Sequence, residues 1–303
     1  MSVNDELGQR MKSYYENVYR FGLTRRMPVA IRIDGKAFHT FTKGFQRPFD
    51  PVFMNAMKNT MKYLCENIQG CKIGYTQSDE ITLILTDYDT LTTDAWFGYN
   101  LQKMCSVAAS MATMAFNKYF TEEVSKWEDK TFERNYLGHC IGDITPDNVK
   151  LFETYEKAIE KGALFDARVF NIPKEEVCNL LYWRQLDAVR NSILMVGQHY
   201  FSHLELHKKS CKEIQEMLTY GKGIDWSFYP TYCKRGSCCI KTNTTTTFAK
   251  EDENGDIITG ATERPHWKID DEIPVFRGDD RYYIEKYIYN EGELKDVQPI
   301  IIN

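Results

Sequence analysis

The sequence predicts an α+β protein built on a ferredoxin-like βαββαβ sheet, with additional helices and a C-terminal extension. Three observations predict this class. Four short runs of β-branched and aliphatic residues have the length of strands, and two longer segments have apolar residues at helical spacing. These elements follow one another as strand, helix, strand, strand, helix and strand. The composition, 43% hydrophobic and 27% charged over 303 residues, is that of a globular protein with a sizeable core.

The first strand and the first helix are indicated by local signals. An apolar strand is predicted over 28–34 and ends at Asp34. The helix predicted over 49–68 begins at Asp50 and Pro51, because aspartate caps a helix N-terminus and proline suits the first helical position.

The rest of the sheet follows from a hairpin, a helix and a final strand. Two β-rich runs, 71–77 and 80–86, are separated by only two residues, which is a hairpin signal. A long apolar helix over about 95–119 comes next, and the last strand is predicted over 163–172.

The predicted sheet divides the chain into two parts. We expect one domain over 1–172, with a charged insertion at 120–162 that lies outside the core, and a helical and strand-rich region over 173–303. Within the second part, helices are predicted from 173 to about 206 and over roughly 210–219, with strands over 224–250.

Charge, cysteine content and hydropathy narrow the class of protein. The net charge of −5 argues against indiscriminate nucleic-acid binding but allows a local basic surface. The nine cysteines are odd in number and scattered, which favours reduced thiols. No apolar run approaches the roughly 18 residues of a membrane span, so we expect a cytoplasmic protein that does not bind membranes.

Two acidic turns at strand ends are the strongest functional signal. In a βαββαβ sheet the third strand lies antiparallel beside the first, so the end of strand one, at Asp34, meets the hairpin turn that contains Asp79. Carboxylate oxygens are the ligands that Mg²⁺ prefers. The alternative is a pair of solvated turns, because Asp-Gly and Ser-Asp are common turn dipeptides.

A rival metal site lies later in the chain. His199, His203 and His207 share one face if the segment is helical, and neighbouring pairs could bind Zn²⁺. The HExxH motif is missing, so a polar helix face is the better interpretation. The group of Cys233, Cys238 and Cys239 likewise lacks paired CxxC spacing.

Four motifs occur in one order: RIDGKAFH at 32–39, QSDE at 77–80, FDARVF at 165–170 and WRQLDAVRNS at 183–192. In this order and spacing, they resemble the tRNA(His) guanylyltransferase family. The similarity covers roughly residues 8–240 and is greatest to the bacterial-type branch, which polymerises RNA in the 3′-to-5′ direction. It implies a catalytic domain similar to a polymerase palm.

The resemblance also implies a set of site residues. The implied ligands of two Mg²⁺ ions are Asp34, the carbonyl of Gly35 and Asp79, and Glu80 matches a further acidic position needed for activity, so that Asp34, Asp79 and Glu80 form the implied catalytic set. The implied nucleotide contacts are Asp34, Gly35, Lys36, Ala37, Phe38, His39, Arg47, Ser78 and Asp79. The loop amides at 36–39 are candidates to surround phosphate oxygens.

The implied activity is nucleotide addition to the 5′ end of tRNA, with ATP, GTP and other nucleoside triphosphates as substrates and a homotetramer as the assembly. Eukaryotic members have His-Ile-Asn-Asn where this chain has Val-Arg-Asn-Ser at 189–192, and a lysine where it has Arg235. These differences favour templated 5′-end repair over strict guanosine addition to tRNA(His).

Several polar residues are candidate contacts to RNA or phosphate. They are Arg190, Asn191, Lys234 and Arg235, with Arg168 and Arg184 as further candidates. For Arg184 an internal ion pair with Asp187, three residues on, is the preferred alternative.

Two other functions remain open at this stage. A catalytically idle RNA- or nucleotide-binding module could have the same sheet, because such sheets bind RNA through exposed aromatic residues. A nucleotide cyclase-like enzyme would share the palm. Carboxylates at strand ends, rather than aromatic residues at strand centres, favour the nucleotidyltransferase.

Overall fold

The computed structural model describes residues 3–132, 145–251 and 257–289. Its α-helices are α1 Val3–Met11, α2 Phe38–Phe41, α3 Pro51–Asn67, α4 Leu101–Thr131, α5 Pro146–Lys161, α6 Lys174–Tyr200, α7 His203–Leu206, α8 Cys211–Lys222, α9 Thr231–Arg235 and α10 Tyr282–Glu285. Its strands are β1 Val29–Gly35, β2 Cys71–Gln77, β3 Glu80–Leu85, β4 Phe165–Asn171, β5 Ser237–Glu251 and β6 Ile257–Asp270. No helix in these described ranges is both long and apolar enough to span a bilayer.

The strands form one antiparallel sheet in the order β4-β1-β3-β2-β5-β6. Its first four strands have the ferredoxin-like order, which confirms the predicted α+β fold. β5 pairs with β2, with Ile73 opposite Ile240, and β6 extends the sheet further. The sheet therefore continues across residue 172, where the sequence suggested a division between two parts.

Alternating side chains of the strands build a core on each face of the sheet. Ile81 and Leu83 of β3 pack with α3 and α4, whereas Ile84 packs with α6 on the other face. A two-residue period of this kind is what a sheet covered on both sides requires. The side chain at a given position of β1 or β3 is thereby committed to one face.

The segment 120–162 differs from the prediction, because its described residues belong to the core. α4 continues to Thr131, and Phe120 is 1% exposed; Tyr155 of α5 is 0% exposed. Their rings pack against Phe45. The many charged residues on the outer faces of α4 and α5 are the reason why the sequence predicted a segment outside the core. Glu133, Arg134, His139 and Cys140 lie outside the described residues.

The predicted cap of α3 is confirmed and joins three segments. One carboxylate oxygen of Asp50 accepts a hydrogen bond from the Phe53 amide at 2.9 Å. The other oxygen accepts from the Gln46 amide at 2.9 Å and from the Tyr155 hydroxyl at 2.7 Å. This buried carboxylate therefore fixes the start of α3 against α5 and against the loop after α2.

The helix predicted from 173 to about 206 is interrupted. α6 ends at Tyr200, and Ser202 caps the separate short helix α7 in a capping box with Glu205. The serine side chain competes for backbone hydrogen bonds and so favours a new helix start over continuation. His199 consequently lies on a different helix from His203.

Candidate functional site

The structure brings the two predicted acidic turns together. β1 and β3 pair so that Asp34 lies opposite Glu80, the residue after Asp79. The Gly35 amide donates a hydrogen bond of 3.1 Å to the Asp79 carbonyl oxygen. The end of β1 is thus bound directly to the hairpin turn, as the strand order requires.

The Asp79 carboxylate is partly buried and close to a like charge. Burial raises its pKa, a hydrogen bond from Ser78 at 3.0 Å lowers it, and the negative charge of Asp34 raises it further. Ser78 itself has a left-handed backbone conformation, with φ of 49°. Two carboxylates that repel each other at a strand end form a site that a cation would stabilise.

The oxygen donors at this point fit a hard divalent cation. Asp34, Asp79 and the carbonyl of Gly35 are the atoms that could hold it, and Mg²⁺ commonly takes only one or two protein carboxylates. Within the described ranges no group of three or more histidine, cysteine or acidic side chains is arranged to bind a metal. A cation at this site would therefore take further ligands from backbone oxygens, water or substrate phosphate.

The loop after Asp34 folds back on the protein. A Cβ on Gly35 would lie 2.2 Å from the Phe38 ring, so the glycine is required here by packing. The Lys36 amide already donates to the Leu164 carbonyl at 2.9 Å. This corrects the expectation that the amide of Lys36 is free for a phosphate; its exposed side chain is not involved in that bond.

A cavity of about 450 Å³ opens beside Asp79. Of the predicted contacts, its wall includes Phe38, His39, Arg47, Ser78, Asp79 and Asn191. Its wall also includes residues that were not predicted as nucleotide or RNA contacts, namely Asp50, Phe53, Ser192, Met195, Tyr232, Cys233 and Gly236. The cavity thus lies between the loop after β1, the hairpin turn, α6 and α9.

Gly236 is the clearest of the residues that sequence reasoning missed. Its φ is 82°, and a Cβ at this position would lie 2.3 Å from the Thr76 carbonyl oxygen. Only glycine allows the chain between α9 and β5 to approach β2 so closely. A single glycine in KRGS carries no specific signal, because the contact joins residues 160 positions apart.

Glu80 has different surroundings from its neighbour Asp79. Its carboxylate lies 3.0 Å from Arg32 Nε and 3.1 Å from Arg184 Nε, and it does not line the cavity. Burial raises the pKa of Glu80, while Arg184 and Arg32 oppose that shift. The catalytic role of Glu80 stays a prediction, and its contacts are those of a buried ion pair.

Arg184 is held by two acids. The predicted ion pair with Asp187 is confirmed at 2.5 Å, and the Glu80 contact completes the network. The Nε–H of Arg184 does not point at the Glu80 oxygen, so that contact is an ion pair without an aligned hydrogen bond. With 5% exposure, Arg184 is not accessible to RNA.

The four predicted RNA contacts on α6 and α9 differ in their surroundings, and only Arg190 among them is exposed. Asn191 lines the cavity, whereas Arg190 is exposed outside it. The Lys234 ammonium donates to the Ser227 carbonyl at 2.5 Å. Arg235 contributes its backbone carbonyl to a 2.6 Å hydrogen bond from the Tyr75 hydroxyl.

The rival zinc site is not formed in the described part of the chain. The rings of His203 and His207 lie 6.2 Å apart, but His199 belongs to α6 and packs against Tyr200. Every cysteine that the structure describes is a free thiol, as predicted.

An antiparallel palm-like sheet with paired carboxylates at one end is the arrangement expected of enzymes that act on nucleoside triphosphates, both nucleotidyltransferases and nucleotide cyclases. The sequence profile of the tRNAHis guanylyltransferase family matches residues 8–173, more than half of the chain. This chain therefore belongs to the tRNAHis guanylyltransferase family and is a nucleotidyltransferase, which confirms the resemblance drawn from its motifs.

Similar proteins include viral, fungal and bacterial ones. An uncharacterized protein of Acanthamoeba polyphaga mimivirus is 28% identical over 77% of this chain and 76% of its own. The tRNA(His) guanylyltransferase of Schizosaccharomyces pombe is 26% identical over 76% of this chain and 81% of its own. A solved bacterial tRNA(His) guanylyltransferase-like protein in complex with ATP is 39% identical, with a TM-score of 0.70 over 93% of this chain and 99% of that one. A GTP complex of such a protein gives 38% identity and a TM-score of 0.68 over 94% of this chain and 100% of that one.

Proposed function

We propose that this protein adds nucleotides in the 3′-to-5′ direction to the 5′ end of tRNA, choosing each by the opposing template base. The observation that carries the proposal is the meeting of the Asp34 strand end with the turn of Asp79, which lines a 450 Å³ cavity, a size suited to one nucleotide. Similarity to proteins solved with ATP and with GTP supports nucleoside triphosphates as substrates. Addition of a single guanosine to tRNA(His) is the second candidate, favoured by the family itself.

The chemistry requires two displacements at phosphorus. In the first, a 5′-monophosphate oxygen of the tRNA attacks the α-phosphate of ATP, and pyrophosphate leaves. In the second, the 3′-hydroxyl of the incoming nucleotide attacks the 5′-phosphate of the adenylylated tRNA, and AMP leaves. A 5′-triphosphate end would need only the second step, with pyrophosphate as leaving group.

Asp34, the carbonyl of Gly35 and Asp79 would hold two Mg²⁺ ions. When bound, such ions stabilise the attacking and leaving oxygens of an in-line displacement. The chain itself positions the reactants. Phe38 and Phe53 give the cavity an aromatic wall, and His39, Arg47 and Asn191 place polar groups around it.

The same proposal assigns roles to the two parts of the chain. Residues 1–172 supply the carboxylates, and residues 173–303 complete the site, since Asn191 and Gly236 line the cavity. The reaction is proposed to occur in the cytoplasm, with tRNA as partner and a homotetramer as the active assembly, by analogy with the family.

The test uses a 5′-phosphorylated tRNA that lacks its first nucleotide, with Mg²⁺, ATP and nucleoside triphosphates. We expect the parent protein to add the nucleotide that pairs with the opposing base, and Asp79→Asn to be slower by roughly 100-fold or more, as for loss of one transition-state-stabilising group. Asp89→Asn is the matched control, because Asp89 is exposed and pairs with Lys72.

Two results would contradict parts of the proposal. If Asp79→Asn extends the RNA at the parent rate, Asp79 is not a ligand of a catalytic Mg²⁺ ion. Addition of G whatever the opposing base would exclude templated repair and support the single-guanosine function.

A further inference from the structure

Trp183 is a half-exposed aromatic ring whose position is fixed by two arginines. Its side chain is on α6, it is 51% exposed, and it does not line the cavity. The Arg184 guanidinium carbon lies 4.1 Å from the ring centroid, and that of Arg32 lies 5.4 Å away. Cation–π contacts of this kind hold an indole ring in place.

The arginines are held by two acids, of which Glu80 is buried and Asp187 is 35% exposed. Glu80 lies between Arg32 and Arg184, at 3.0 and 3.1 Å, and Asp187 binds Arg184 at 2.5 Å. Because the ion pairs of Glu80 are largely buried, the two guanidiniums, and the ring that they contact, are preorganised. The exposed part of Trp183 is therefore a rigid apolar surface facing outward.

This surface lies beside the strand that carries Asp34, because the Trp183 ring contacts Arg32 of β1. Arg32 precedes Asp34 by two residues on the same face of β1, a distance of about 7 Å along a strand. The register partner of Arg32 is Arg168 on β4, whose side chain is 59% exposed and 3.7 Å from Asp166. A cation that is largely exposed thus accompanies the exposed ring on one side of Asp34.

We propose that Trp183 stacks on an unpaired base next to the reacting 5′ end of the RNA, and that Arg168 contacts the adjoining phosphate. This inference rests on the proposed function, because it needs an RNA end at Asp34. The cavity has room for one nucleotide. The exposed face of Trp183 lies outside the cavity, so it could stack on one face of a base in a neighbouring nucleotide. Base stacking on an aromatic ring tolerates any base, as a repair enzyme requires.

The experiment measures RNA binding and catalysis separately. A fluorescently labelled, 5′-triphosphorylated tRNA acceptor-stem hairpin with an unpaired first position is titrated with the parent, Trp183→Ala and Trp183→Phe. We expect Trp183→Ala to weaken binding and to raise the KM for RNA by roughly tenfold, within the range for one stacked base, with the KM for the nucleotide unchanged. Trp183→Phe should recover most of the affinity.

Controls separate stacking from structural damage. Tyr220→Ala removes an aromatic ring that is 88% exposed on α8 and should leave RNA affinity unchanged. Arg168→Ala should weaken binding and reduce its dependence on salt, as expected for loss of one phosphate contact.

The inference and the proposed function fail in different ways. If the parent extends RNA and Trp183→Ala has an unchanged KM for RNA, the inference is overturned and the function stands. If the parent binds the hairpin through Trp183 but adds no nucleotide, the function fails. Should Trp183→Ala change the molecular mass in light scattering without changing RNA affinity, the ring belongs to a contact between copies of the chain, and the inference is again overturned.

Discussion

At the scale of single residues, adjacent acids have separate tasks. Asp79 lies at the cavity, close to another carboxylate, whereas Glu80 neutralises two arginines on the α6 side of the sheet. We interpret Glu80 as a positioning residue, because its charge joins Arg32, on the strand that carries Asp34, to Arg184 on α6.

Glu80→Gln tests that interpretation. Loss of the negative charge leaves two guanidiniums without their shared partner, so we expect the free energy of unfolding to fall by about 2 kcal/mol. Urea denaturation measures the change. The matched control is Glu216→Gln, in an exposed pair with Lys212, which should change stability by less than about 0.5 kcal/mol. An inactive Glu80→Gln protein with parental stability would instead favour a direct catalytic role.

At the scale of helices and strands, the Asp50 cap organises the wall of the cavity. Asp50→Ala leaves the Phe53 amide, the Gln46 amide and the Tyr155 hydroxyl without their acceptor. We expect a loss of about 3 kcal/mol in the free energy of unfolding, measured by urea denaturation.

The matched control for Asp50→Ala is a helix cap whose side chain makes no contact with another helix. Ser210→Ala removes the capping side chain of α8, which is exposed, and should cost only about 1 kcal/mol. Equal losses in the two variants would show that the bond from Tyr155 contributes little to the contact between α3 and α5.

At the scale of the whole molecule, the carboxylate pair opposes folding when no cation is bound. Burial and the charge of Asp34 raise the pKa of Asp79, so between the unfolded and folded pKa values the folded chain binds more protons than the unfolded one. Stability therefore decreases as pH rises through that interval. At neutral pH and in EDTA, Asp79→Asn should be more stable than the parent by about 0.5–2 kcal/mol in urea denaturation.

Mg²⁺ should make the parent protein more stable relative to Asp79→Asn, the opposite of the order expected in EDTA. At a hundredfold excess over its Kd, an ion that binds only the folded state stabilises it by about 2.7 kcal/mol. We expect Mg²⁺ to raise the Tm of the parent and to have little effect on Asp79→Asn, as measured by differential scanning calorimetry. The same rise in both proteins would place the ion away from Asp79.

Features set by neighbouring residues could be predicted from the sequence. The order of elements along the chain follows from apolar runs and turn signals, and the start of α3 follows from Asp50 and Pro51. The lateral order of the first four strands follows by analogy with the ferredoxin-like fold. The meeting of Asp34 and Asp79 follows from that strand order, because antiparallel neighbours bring the end of one strand to the turn before the other.

Features set by distant contacts were decided only by the tertiary structure. The bond from the Lys36 amide to Leu164, the two arginines around Glu80 and the approach of Gly236 to Thr76 each join residues far apart in the chain. The sequence by itself determined the family, the palm-like sheet and the acidic pair, since these depend on local pattern and element order. Only the folded structure decided which charges remain accessible, because burial and ion pairing depend on what packs against each side chain.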